Sequence, residues 1–320
     1  DFTGDALFWK ATFSRAAFFG RANFSKAAMF LEATFNGEAS FKKATFKESA
    51  LFEKVYFSGY TNFSVATFRQ KANFKQADFN RNVYFQKTKF SKWFVLSGCS
   101  SKESIFFEGA DLSNVSFLDS DPAKMHFIDC TWPRCFGRNI LSDEIKPKDD
   151  KFPFDKVEYL YRRLKQKYKE EHNETEASNW HYGEKEMFRK KKLWRRYNPF
   201  SFSNLYWVSS GYAERPVRAG LVLISLFVAV TFLMNLLGLV PRHGNPVFGV
   251  ESIKGFSSVF DPMRFWLLVN NTIQHALFIR DTYFIPQSLA GSIILTISTK
   301  VIIPIQTALF VLALRNKFRR

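Results

Sequence analysis

Between Phe8 and Phe90 a large apolar side chain returns every five or six positions: Phe8, Phe13, Phe18, Phe24, Met29, Phe35, Phe41, Phe46, Phe52, Phe57, Phe63, Phe68, Phe74, Phe79, Phe85 and Phe90. The residue two before it is usually small, as at Ala11, Ala16, Ala22, Ala33, Ala44, Ala66, Ala72 and Ala77. A helix repeats its apolar positions every 3.6 residues and a half-buried strand every second one, so neither accounts for this spacing. A coil that turns a corner at each repeat does account for it, because each corner brings one large and one small side chain inside. A phenylalanine buried in such a stack contributes about 1.5–3 kcal/mol, so the coil needs no cofactor to hold it together.

The pattern resembles the pentapeptide-repeat family, whose central residue is Leu or Phe with Ala two positions earlier, as in Ala77-Asp78-Phe79 and Ala110-Asp111-Leu112. The resemblance covers residues 6–118 and implies a right-handed, four-sided (quadrilateral) β-helix with Phe and Ala stacked inside and Lys, Arg, Ser and Gln outside. The sixth residue at alternate steps departs from a strict five and should widen some corners. Some members of the family inhibit DNA-handling enzymes through a strongly acidic, DNA-like surface. Here Lys42, Lys43, Lys47, Lys71, Lys75, Lys87, Lys89 and Lys92 make the outside basic, which disfavours that role. These lysines either keep the stacked coils soluble or contact anionic lipid or a cytoplasmic partner. Residues 119–139 lose the repeat and read as its cap, which bounds a repeat domain at residues 1–140.

A net charge of +17 is not gathered into one block, so a nucleic-acid-binding arm is not indicated. Three cysteines, Cys99, Cys130 and Cys135, form an odd set read as reduced thiols, too few for a zinc site. Asp1 stands inside a repeat, so the lack of a signal peptide carries no weight. There is no HExxH, Walker loop or GxSxG, and His126, His172, His181, His243 and His275 form no ligand spacing. An enzyme, a metal and a cofactor are therefore not expected.

Residues 141–215 read as a helical hairpin followed by a basic segment. Val157, Leu160, Tyr161, Leu164 and Tyr168 share one helical face. Asn173 with Glu176 starts a second helix carrying Ala177, Trp180 and Met187. Arg189 to Phe200 then interleaves basic residues with Trp194 and Tyr197, the composition of a membrane flank.

Mean hydropathy is −0.18 only because this polar part is averaged with residues 216–320. Residues 219–240 hold no charge and are long enough to span a bilayer, as are residues 288–314, which lead into Arg315, Lys317, Arg319 and Arg320. Basic residues at both flanks put both chain ends in the cytoplasm. Between the spans, residues 262–274 start at Asp261-Pro262, an N-cap followed by a proline at the first helical position. The apolar run from Met263 to Ile273 covers only ~17 Å, too short to cross. It reads as a re-entrant helix ending in Asn270, Asn271, Thr272, Gln274 and His275, because polar groups at membrane depth survive inside protein or beside water.

In the last span Thr296, Lys300, Ile303 and Thr307 fall on one stripe, with Thr299 and Gln306 beside it, a face suited to lining a pore. Lys300 lies ~22 Å above Arg315, too deep to snorkel. It is satisfied by Asn235 or by a neighbouring subunit, or it belongs to a ring of lysines that repels cations. The negative end of the short helix would instead attract cations, which leaves the sign of the conducted ion open. Pro304 frees the carbonyl of residue 300 and marks a hinge. His275, if it lines the entrance, would gate conduction by its protonation at about pH 6.

This layout resembles the two-transmembrane pore-loop channels. The chain from LYWVSSGYAERPVRA to FVLALRNKFRR is similar to bacterial pentapeptide-repeat proteins with a channel-like C-terminal domain. The resemblance implies an ion channel of the bacterial inner membrane. Residues 257–289 contain no glycine, so a TVGYG-type potassium filter is excluded. Two spans cannot enclose a water path, so a pore requires a homo-oligomer, read as four or five subunits conducting inorganic ions across the lipid bilayer. The alternative is a membrane-anchored scaffold or sensor whose solenoid binds a partner.

Overall fold

The computed structural model describes residues 1–145, 152–191, 197–244, 247–248, 250–255, 261–279 and 282–318. They divide into two compact units, Asp1–Arg196 and Tyr197–Arg320. Part of the basic flank (residues 192–196), with Arg319 and Arg320, lies outside the described residues.

The first unit begins with a β-solenoid of about six turns. Two-residue strands on four sides pair in parallel with their counterparts one coil on: Ala6 with Ala28, Ala28 with Ala50, Ala50 with Ala72, and on the next sides Phe13 with Phe35 and Phe24 with Phe46. Equivalent residues stand twenty-two apart. The phenylalanine rings therefore stack face on face along the axis, 4.5 Å apart for Phe13 and Phe35 and 4.8 Å for Phe24 and Phe46.

Two positions read from sequence as inward face outward instead. Phe18 is 70% exposed, and it is Phe19 that stacks on Phe41; likewise Phe30, fully buried, takes the place assigned to Met29. Ala17 is buried in place of Ala16. The cause is a strict alternation of five and six residues, which the backbone enforces. After each five-residue step begins, a tight turn closes it, as where Phe8 accepts the Ala11 N–H at 3.1 Å and Phe30 that of Ala33 at 3.1 Å. The third residue of each such turn is left-handed: Lys10, Arg21, Glu32, Lys43, Lys54, Val65, Gln76 and Lys87, then Gly98 and Gly109. The six-residue steps turn without it.

A helix α1, Ser142–Ile145, closes the last coil. The Asp143 carboxylate accepts the Ser116 hydroxyl at 2.6 Å and the Phe117 N–H at 2.8 Å, and the Ser142 hydroxyl donates to the Val115 carbonyl. Polar groups that another coil would have paired are thereby satisfied. Helices α2, Phe154–Glu170, and α3, Glu174–Lys190, pack on this cap as an antiparallel pair. Trp180 meets Trp132 edge to face at 4.9 Å, and the Tyr161 hydroxyl accepts the Leu141 N–H and donates to Glu144, itself ion-paired with Arg138 at 2.6 Å. Cys99 is buried in the solenoid wall, where burial pushes its thiol up to about 12.

The second unit opens with α4, Phe202–Ser210, capped by the Ser201 hydroxyl and ended by left-handed Gly211. Helices α5, Pro216–Leu237, and α7, Leu289–Phe318, are long and apolar enough to cross a membrane. They run antiparallel, with Gly220 against the Phe310 ring at one end and Gly291 against Leu237 at the other. Only 22% and 28% of their most apolar stretches are buried, the reverse of a core helix, and Leu221, Ile224, Ile293 and Ile305 point outward. Beyond α5, Leu239–Pro241 pairs antiparallel with Phe284–Pro286, and Leu239 also exchanges backbone hydrogen bonds with Ile253. Between them α6, Pro262–Ala276, starts at Asp261, whose carboxylate accepts the Met263 and Arg264 N–H groups.

Candidate functional site

Pro304 has no N–H to give to the Lys300 carbonyl, and its ring would crowd that carbonyl in α geometry. The helix answers with a π turn over Ser298–Ile302, where Ile303 N–H donates to Ser298, five residues back. One added residue rotates all that follows by roughly 100°. By helical register, Thr296 and Lys300 then continue toward Pro304, Ala308 and Arg315, while Ile303 and Thr307 swing aside. The stripe of Thr296, Lys300, Ile303 and Thr307 drawn at a constant period is thus divided at the π turn.

Thr296, Lys300 and Thr307 are exposed; Thr299 is buried and donates to the Leu295 carbonyl, and Ile303 is 7% exposed. Lys300 has no hydrogen-bond or ion-pair partner among the described residues. Asn235, suggested as its partner, is fully buried and its side chain donates to the Gly255 carbonyl at 2.9 Å, while its backbone carbonyl accepts the Gly255 N–H at 3.1 Å. That amide holds the connection after α5 instead. Gln306 is also structural, donating to the carbonyls of Ser209 and Ala219 at 2.9 Å each, which ties α7 to α4 and α5.

On α6, Asn271 and Thr272 are 1% exposed. Thr272 donates back to Leu268, and Asn271 accepts the Phe284 N–H at 3.1 Å. Asn270, Gln274 and His275 are half-buried, with Gln274 Oε1 and His275 Nε2 enclosed and lacking a hydrogen-bond partner among the described residues. The chain reverses at left-handed Phe278. Here Ala276, Leu277 and Phe278 meet Ile303, Pro304 and Thr307 across a groove of about 610 Å³ that continues past Val311 to Arg315. Ile303, Pro304 and Thr307 are thus brought together with the end of α6; Thr296 and Lys300 stand above this groove on α7.

Residues 1–45 and 52–100 match the family model described as pentapeptide repeats (9 copies). The solenoid is made of pentapeptide repeats. The match to the pentapeptide-repeat model ends at residue 100 and says nothing of α4 to α7. No curated protein and no solved structure matches the chain.

Sequence reasoning named Arg315 only as a membrane flank and did not single out Ala276 to Phe278 or Val311, which have no motif and meet it only through the fold. It also passed over α4, although Ser201 before Phe202, Leu205 and Val208 is a cap ahead of apolar positions three apart.

Proposed function

We propose that the chain is one subunit of a homo-oligomeric ion channel, with α6 re-entering the membrane and the pentapeptide-repeat solenoid on the cytoplasmic side. The observation that supports this is that the end of α6 faces the middle of α7. Ile303 lies ~21 Å along α7 from Leu289 and ~18 Å from Arg315, so Ala276 to Phe278, which face it, sit near the middle of a ~30 Å bilayer. The paired strands Leu239–Pro241 and Phe284–Pro286 join the opposite ends of α5 and α7. A chain that leaves that end, descends through α6 and returns at Phe284 is a hairpin inserted from one surface. A simple tether has no use for it. Arg215, Arg218, Arg315 and Lys317 gather at the other ends of the spans, which supports a cytoplasmic location there.

In an assembly of four or five subunits, the groove between the α6 end and α7 would form each subunit's share of an inner vestibule. Arg315 is the one charged residue of its wall among the described residues. With Lys300 above it, the wall favours anions.

Thiol accessibility tests the assignment. In a background with Cys99, Cys130 and Cys135 replaced by serine, Thr307→Cys should react with a membrane-impermeant methanethiosulfonate reagent from the cytoplasmic side, whereas Leu221→Cys on the lipid side of α5 should not. Protection of Thr307→Cys to the same degree as Leu221→Cys would leave a membrane-anchored scaffold as the better account.

A further inference from the structure

A second groove, of about 590 Å³, opens where α5 begins and α7 ends. Its rim carries Arg215, Arg218 and Lys317 and, among the described residues, one carboxylate, Glu214; its wall continues along α5 as Val217, Leu221 and Val222. Arg218 is held in place: its guanidinium lies 5.3 Å from the Trp207 ring and donates to the Trp207 carbonyl at 3.2 Å. Lys317 has no ion-pair or hydrogen-bond partner among the described residues. Leu221 and Val217 are well exposed, at 60% and 70%. The same end of the unit carries α4, whose Phe202, Leu205 and Val208 are exposed apolar side chains directly ahead of a spanning helix.

We propose that this groove binds an anionic phospholipid, with the phosphate between Arg215, Arg218 and Lys317 and an acyl chain along Val217, Leu221 and Val222. Charge and shape select this occupant together. Three cations against one acid leave a surplus that a phosphate diester offsets, and guanidinium groups bind phosphate oxygens in pairs. A free inorganic anion would leave the apolar wall uncovered, and a neutral lipid would leave the Lys317 ammonium without a counter-charge. The partial positive charge at the start of α5 adds to the attraction without being its source. A lipid here would bridge the two spans at their cytoplasmic ends, beside the mouth of the groove that Arg315 lines. The inference rests on α5 and α7 spanning a membrane; it does not depend on conduction.

The test uses the purified full chain in detergent, with dioleoyl phosphatidylglycerol and dioleoyl phosphatidylcholine as probes and native mass spectrometry counting bound lipid. Wild type should retain phosphatidylglycerol at least ~10-fold better than phosphatidylcholine. Arg215→Gln with Lys317→Gln should abolish that preference, whereas Arg215→Lys with Lys317→Arg should keep most of it. Removing two exposed lysines of α2, Lys156→Gln with Lys169→Gln, should change nothing. Equal retention of the two lipids by wild type overturns the proposal without needing any variant, and so does full competition by inorganic phosphate at equal concentration. Carbonate extraction separates the two levels: a chain that stays in the membrane pellet yet shows no lipid preference loses only this site, while a chain released to the supernatant loses the membrane reading and the site with it.

Discussion

Asn271 Oδ1 accepts the backbone N–H of Phe284 at 3.1 Å, joining the interior of α6 to the limb that returns from its end. Both residues are buried, and Phe284 is one strand residue of the pair that links the ends of α5 and α7. One amide therefore fixes α6 against the strand pair.

Asn271→Leu should leave the Phe284 N–H buried without a partner, at a cost of about 1–3 kcal/mol. The two spans do not depend on this bond, so the variant should still resist carbonate extraction. Thr307→Cys in the same chain should lose most of its reactivity toward the impermeant thiol reagent. Unchanged reactivity would show that the hairpin does not shape the groove.

Val65 adopts φ 61° at a tight corner of the solenoid, where the residues at the equivalent corners, every eleventh along the chain, are long and unbranched or glycine. A β-branched side chain there is strained, by about 1–2 kcal/mol relative to glycine. Val65 is 42% exposed, so little burial is lost on removal. Val65→Gly should stabilise the first unit by up to roughly 1 kcal/mol after the added flexibility of the unfolded chain is offset, and so raise its unfolding midpoint. Thermal denaturation followed by circular dichroism checks the sign.

Gly183 lets α3 lie against the Tyr161 ring: a Cβ built there would stand 2.5 Å from ring carbon Cε1. Tyr161 cannot retreat, because its hydroxyl is shared between Leu141 and Glu144. Gly183→Ala should therefore destabilise the first unit by about 1–3 kcal/mol despite alanine's better helix propensity. Denaturant titration of the variant measures it.

Burial opposes ionisation of Glu184, yet hydrogen bonds from His181, Lys165 and Arg162 outweigh it and hold the carboxyl well below the usual carboxylate range. With the folded value depressed, the unfolded state takes up the proton first as pH falls. The contribution is complete above the unfolded value near pH 4 and is lost as pH drops through the folded value. The midpoint of the first unit should fall between about pH 5 and about pH 2, and Glu184→Gln should make that fall shallower. Parallel slopes for the two proteins would contradict it.

The solenoid is legible because ring stacking repeats one chemical choice many times. Its register is less so. Phe18 and Phe19 are chemically equal candidates, as nearly are Met29 and Phe30, and only the left-handed corner at every eleventh residue decides between them. Both apolar spans and the Asp261 cap of α6 can be read from composition and local spacing. The face that α7 turns toward α6 cannot, since a helical wheel assumes a constant period and Pro304 imposes a π turn just before it. The partner of Asn235 was equally hidden: a level count sets it beside Lys300, but a loop carbonyl at Gly255 reaches it instead. Contacts made by chain segments far apart in sequence leave no local signal.

Ionic current across a planar bilayer containing the purified chain, recorded under a salt gradient, tests the central claim most directly. Unitary steps with a reversal potential on the anion side, and a drop in the anion-to-cation permeability ratio with Lys300→Gln, are the predicted result. Silence across voltage, pH and membrane tension from protein shown to be inserted would contradict it, and the solenoid would then be a scaffold held at the membrane by α5 and α7.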